Sequence, residues 1–179
     1  YAPAESLELG EVGGMLSRGG VQSMFFTQAI VILALSLGGL LTALGILPAL
    51  LSGIKDALTT SGRAIFAAAM SALSINVLIG EQYLSILLSG TAFRSTFERL
   101  HLHPKNLSRT IEDAGTVINP LVPWSVCGVF ISQALGVPVL DYLPYAFFCY
   151  LSLLLTLLFG FTGVTISRVK EGNMKTAEL

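Results

Sequence analysis

Between Phe25 and Leu51 the chain carries no formally charged residue. Read as one helix, residues 22–47 rise 1.5 Å per residue and reach about 39 Å, enough to cross a bilayer with tilt. Lipid admits only segments whose backbone polar groups are satisfied internally, so this run commits the chain to helices. The rest agrees: 53% of residues are hydrophobic and 12% charged, against roughly 25% charged in soluble domains, and the mean hydropathy is +0.75. The expectation is an all-α, polytopic membrane protein with the lipid bilayer as a partner. The net charge of −1 offers nothing to nucleic acid. Cys127 and Cys149 lie in apolar runs without metal-ligand spacing and read as small buried hydrophobes. The chain opens YAPAESLELG, with neither Met nor a signal peptide, so it reads as a fragment of a longer protein whose other helices pack against this one.

Residues 1–179 read as a single transmembrane transport domain with five segments. Residues 22–47 are a span in which Gly38, Gly39 and Gly45 suggest close helix contact and Ser23, Thr27 and Ser36 suggest interhelical hydrogen bonds. Residues 49–60 are an interfacial helix bearing Lys55 and Asp56. Residues 62–90 form a re-entrant hairpin, 108–135 a broken (discontinuous) span, and 143–167 the last span. Arg94, Arg99, Lys105 and Arg109 make 91–109 a basic loop, and Arg168, Lys170 and Lys175 make the tail basic. Positive charge marks the cytoplasmic side, so both belong inside. An even number of crossings must then lie between them: out through 108–135 and back through 143–167. The same rule favours the hairpin over a single crossing at 62–90, because it leaves Lys55 and Arg63 inside and Glu5, Glu8 and Glu11 outside.

Acids inside membrane segments are costly, and each is a functional candidate. Asp113 and Thr116 stand at i and i+3, one face of an α-helix; Glu112 lies on another face and reads as an ion-pair partner. Asn119–Pro120 ends the first half-helix, and Pro123 suits the first position of a second. Carbonyls of the first half and N–H groups of the second, with Ser125 beside them, would face the gap, as cation and anion sites respectively. Within 62–90, Asn76, Gly80, Glu81 and Gln82 gather a carboxylate, two amides and a bendable glycine. The competing readings are a proline-kinked helix with Asp113 paired to Arg109, and Glu81 with Tyr83 at headgroup depth. His101 and His103 read as a solvated loop, and Trp124 as packing beside the break. No phosphate loop, nucleophile elbow or nucleophile–base pair points to an enzyme.

The stretches GGVQSM (19–24), GEQYLSILLSGTAF (80–93), LHPKNLSRTIEDAGTVINPLVPWSVCG (102–128) and the last span carry a family pattern. In them the chain resembles the C-terminal part of NhaC-type Na+/H+ antiporters of the ion-transporter superfamily. The resemblance covers most of residues 13–168. It implies a bacterial inner (plasma) membrane protein built of inverted repeats, each with a re-entrant hairpin and a broken helix. This chain would supply the second repeat, with the first repeat as partner and a homodimer left open. Na+ and H+ would be the transported ions, with no cofactor. The expected function is secondary active Na+/H+ antiport by alternating access, in which the two ions compete for Asp113 and Glu81 and Thr116, Asn76 and Ser125 complete the Na+ shell. The alternative is a Na+- or H+-coupled carboxylate or amino-acid exchanger of the malate/lactate type, with Gln82 and Asn119 as substrate contacts. A third is a non-transporting scaffold whose acids form structural ion pairs.

Overall fold

The computed structural model describes residues 22, 25–46, 49 and 58–169. Residues 50–57 of the expected interfacial helix 49–60, with Lys55 and Asp56, fall outside them, as do Ser23, the acids before Gly13, and Lys170 and Lys175, while 58–60 are not helical, Thr60 being the N-cap of the next helix. The described residues are helical without a strand, joined by one isolated bridge between Leu102 and Arg168.

Helix α1, Phe25–Ala43, is apolar on nearly every side and long enough to cross a membrane. Of its glycines, Gly38 is the close contact: a Cβ there would lie 2.0 Å from Leu84 Cδ1, whereas Gly39 and Gly45 meet nothing within 4 Å. Thr27 does bridge helices, donating to Gln133 Oε1 at 3.1 Å. Ser36 instead donates to its own Ile32 carbonyl at 2.7 Å, the usual resting place of a hydroxyl on an apolar helix.

Helices α2, Ser61–Ile79, and α3, Gln82–Arg99, form an antiparallel hairpin with only Gly80 and Glu81 between them. Gly80 ends α2 at φ +77°, its N–H bonding the Asn76 carbonyl at 2.7 Å. Glu81 then starts α3, Oε2 accepting from the Leu84 N–H at 2.9 Å. A glycine stop followed at once by an acidic N-cap makes the tightest reversal two helices allow. Ala64, Ala68, Ala69 and Ala72 are completely buried and let the arms approach. Ser85 Oγ donates to the Ala72 carbonyl at 2.6 Å, and Arg99 Nη2 closes the open end on the Leu58 carbonyl at 3.1 Å.

The hairpin is longer than 62–90, because the first half of the expected basic loop continues α3 to Arg99. Phe93 and Phe97 stay buried one turn apart, and Arg94 and Glu98 pair at 3.0 Å on the outer face. The helical period therefore continues past the first charges. Arm α2 alone has the length and apolarity of a span.

Helix α4, Pro104–Ile111, starts on His103, whose Nδ1 accepts from the Lys105 N–H at 3.2 Å. It continues as a π turn, Glu112–Thr116, and a 3-10 turn, Asn119–Leu121, before α5, Val126–Leu135. The two arms meet at a bend of 43°, so the apolar stretch is broken without reversing direction. The break differs in detail from expectation. Regular α geometry ends at Ile111, and Pro123 does not open the second half. Ser125 does, because its Oγ accepts from the Gly128 N–H at 2.9 Å, a side-chain cap that proline cannot supply. A short helix α6, Val139–Tyr142, and a 3-10 turn, Leu143–Tyr145, lead at a 57° bend into α7, Phe147–Thr162.

The ends of α3 and α7 meet. His103 N–H donates to the Ser167 carbonyl and Val169 N–H to the His101 carbonyl, both at 3.0 Å, and Asn106 bonds Ser167 through both ends of its amide. Residues 101–106 and 165–169 thus lie against each other. Gly80→Ala places a Cβ 3.0 Å from the Trp124 carbonyl at a left-handed backbone position. It should cost about 1–2 kcal/mol, read as a lowered melting temperature of detergent-solubilised protein.

Candidate ion site at the broken span

The tip of the hairpin sits on the break. Val126 N–H donates to the Gly80 carbonyl at 3.0 Å, and the Trp124 indole N–H donates to the Val77 carbonyl at 2.7 Å. Trp124 is 57% exposed, so it acts as a strap across the tip more than as a core wedge.

Beneath the tip lies a buried chain of amides. Asn76 Nδ2 donates to the Gly115 carbonyl at 2.6 Å, while its Oδ1 accepts from Asn119 Nδ2 at 2.6 Å. Asn119 Oδ1 accepts from the Cys127 N–H at 3.2 Å, and its carbonyl accepts from Ser125 Oγ at 2.6 Å. Asn76, Asn119 and Ser125 have no exposed surface. The structure therefore unites three of the sequence candidates in one network that repairs the helix break. Tyr142 adds a bond to the Pro120 carbonyl at 2.5 Å. The N–H groups of Val126, Cys127 and Gly128 are all taken, by Gly80, Asn119 and Ser125. The Asn119 carbonyl accepts from both Ser125 Oγ and the Val122 N–H, and the carbonyls of Gly115 and Pro120 each have a side-chain donor.

Asp113 projects from the π turn to α7, away from Arg109. Ser152 Oγ donates to its Oδ1 at 2.5 Å, and Thr156 Oγ1 donates to Oδ2. Arg109 turns elsewhere: Nη2 donates to Thr165 Oγ1 at 3.2 Å and the guanidinium lies 5.9 Å from the Phe159 ring centroid. The expected alternative pairing of Asp113 with Arg109 is absent, and exposed Glu112 makes no ion pair among the described residues. Arg94–Glu98 is the only salt bridge among the described residues. Among the described residues Thr116 Oγ1, like Ser89 Oγ, is buried without a hydrogen-bond partner. The i, i+3 face expected of Asp113 and Thr116 presumed α-helical spacing; the wider π turn changes the angular step between them. Glu81 is buried at the tip as an N-cap, and Gln82 beside it has Oε1 3.9 Å from Cys127 Sγ. No group of three or more His, Cys, Asp or Glu converges among the described residues.

Ser152 and Thr156 were missed by sequence reasoning, which took the last span as almost purely apolar. The available signal was Ser152, Thr156 and Gly160 at intervals of four, one face of a helix, with Thr156 and Gly160 the buried residues of α7.

A sequence model of the Na+/H+ antiporter family matches residues 2–164. The chain is 47% identical over 165 residues to the Na(+)/H(+) antiporter NhaC of Alkalihalophilus pseudofirmus, covering 91% of this chain and 36% of that protein. It is 44% identical over 147 residues to the NhaC of Bacillus subtilis, covering 82% and 32%. It is 43% identical over 152 residues to the arginine/ornithine antiporter ArcD of Halobacterium salinarum, covering 85% and 31%. The chain thus spans about a third of the length of these relatives. No solved structure matches it.

The network and the unpaired hydroxyl separate in stability. Asn119→Ala strands the buried Asn76 Oδ1 and Cys127 N–H and should cost about 2–6 kcal/mol. Thr116→Val removes a buried hydroxyl that bonds nothing among the described residues and should leave stability unchanged or slightly raised. Thermal melts of the two solubilised variants beside the parent check both.

Proposed function

This chain belongs to the Na+/H+ antiporter family, a family of membrane transporters rather than enzymes, and from that premise we propose that it carries an exchange site for Na+ and H+ in a secondary antiporter. One observation supports this reading above the rest. Asp113 stands in an apolar broken span, partly buried, and makes no ion pair among the described residues. A carboxylate there is costly unless its charge is neutralised. A proton neutralises it, and so does Na+; competition for one carboxylate makes the fluxes obligatory partners. Glu81 at the hairpin tip is the second acid, and Thr116, whose buried hydroxyl has no partner among the described residues, is a candidate oxygen ligand. Asn76 and Ser125 would act chiefly by holding the break open at fixed geometry, each with an oxygen lone pair to spare.

The hairpin tip and the break, bonded through Gly80, Val77, Trp124 and Val126, would move as one body in alternating access. From Pro104 to Leu121 the first arm rises roughly 27 Å. With Arg94, Glu98 and Arg99 in cytoplasmic water and headgroups, the break would lie within the membrane. The chain would reside in a bacterial plasma membrane with residues 100–106 and the tail on the cytoplasmic side, and the rest of the relatives' length would supply the facing half of the site.

A second reading, exchange of an amino acid or carboxylate, draws on the relative named for arginine and ornithine. The N-terminus of α5 offers it little: the first three N–H groups are occupied, and both amide ends of Asn119 are engaged. That leaves Gln82 as the freer of the two substrate candidates.

In vesicles of the full-length protein, Glu81→Gln and Asp113→Asn should each abolish Na+-driven proton movement, followed with a pH-sensitive dye. Wild-type exchange in both would sink the assignment, and uptake of labelled amino acid or malate by the parent would favour the second reading. Cysteines placed by Lys105→Cys and Val164→Cys should both react with an impermeant thiol reagent in inside-out vesicles, and neither in right-side-out ones.

A further inference from the structure

Helix α7 holds the Asp113 carboxylate with two hydroxyls, one on each oxygen, from Ser152 and Thr156. The helix is seated independently of them. Gly160, one turn further on, lies so close to α2 that a Cβ would stand 2.8 Å from Ile65 Cγ2, and Phe161 meets Phe66 at 6.1 Å between centroids. Leu153 and Leu157 pack against the core, while Phe148, Leu151, Leu154 and Leu158 are exposed to the surroundings. The two hydroxyls thus stand out on a helix whose other surface suits lipid. They reach an acid thirty-nine and forty-three positions earlier in the chain.

We propose that Ser152 and Thr156 are positioning and cation-selecting residues for Asp113. This rests on reading Asp113 as an exchange carboxylate. A hydroxyl has one proton and two lone pairs. Toward a bare carboxylate it donates; once a cation sits on that carboxylate, rotation about the C–O bond turns a lone pair to the cation. The same two side chains therefore hold the acid in place and then join the oxygen shell, so α7 responds to what Asp113 carries. Shell size is set by how closely α7 is seated, which makes these residues a control on Li+ against Na+. Thr156 is 3% exposed, where water cannot replace its oxygen, while Ser152 is half-buried. Thr156 should have the larger effect.

The test is exchange by the full-length antiporter in vesicles, titrated with Na+ and with Li+, in Thr156→Val, Ser152→Ala, Thr156→Ser and Asp113→Asn. Thr156→Val should raise the KM for Na+ about tenfold, with a smaller loss in maximal rate, and change the Li+ to Na+ ratio of KM about threefold or more. Ser152→Ala should move both in the same direction by less, and Thr156→Ser should restore both. Unchanged KM and ratio in Thr156→Val and Ser152→Ala overturn the proposal, as does a lowered rate equal for the two cations, the mark of a packing role. If Thr156→Val fails to accumulate in the membrane, the KM and ratio of Ser152→Ala decide. Asp113→Asn separates the two levels: wild-type exchange in it removes the exchange carboxylate and this proposal together. Inactivity in Asp113→Asn with unmoved KM and ratio in the hydroxyl variants removes only this proposal.

Discussion

The structure depends on satisfying backbone groups where water is scarce. A helix can be opened at membrane depth only if other donors and acceptors replace the lost ladder. Here the replacement is made of side chains from across the fold. Asn76 takes the Gly115 carbonyl, Asn119 takes the Cys127 N–H, Ser125 caps α5, and Tyr142 takes the Pro120 carbonyl. The hairpin adds its own backbone, with the Gly80 carbonyl receiving the Val126 N–H. The break and the tip are consequently bonded into one unit.

That economy decides which polar groups remain for ions. Amides at the break are committed to structure, so an anion would find few free donors there. The acids are committed differently. Glu81 caps a helix through one oxygen, and Asp113 is held by hydroxyls that can rotate. A carboxylate held by hydroxyls is easier to hand to a cation than one locked to a guanidinium, because no fixed charge has to be displaced. Arg109, one turn away, is drawn off to Thr165 and the Phe159 ring. This keeps the positive charge close to the acid in sequence without pairing the two.

Much of this could be read from the residues. Uncharged runs identified apolar helices, Gly80 was read as a place where the backbone can bend, and Asn119–Pro123 as the break. The parity of basic segments put the start of α4 and the end of α7 on one side, and in the structure segments 101–106 and 165–169 are hydrogen-bonded to each other. Charged residues misled where helical period continued beneath them, as in Arg94 to Arg99. Prolines misled where a neighbouring hydroxyl made the better cap, as Ser125 does beside Pro123. Glycines were over-read: Gly38 and Gly39 look alike in sequence, and only the first meets a neighbour.

The sequence by itself determined the helical membrane fold, the place of the break and the candidate acids, because hydrophobic run length, helix breakers and buried charge act locally. It could not decide whom Asp113 faces. That depends on the π turn, which changes the rotation of the helix within one turn, and on Gly160, which sets how near α7 approaches. Both are products of packing between distant segments, and only the tertiary structure turned Ser152 and Thr156 toward the acid.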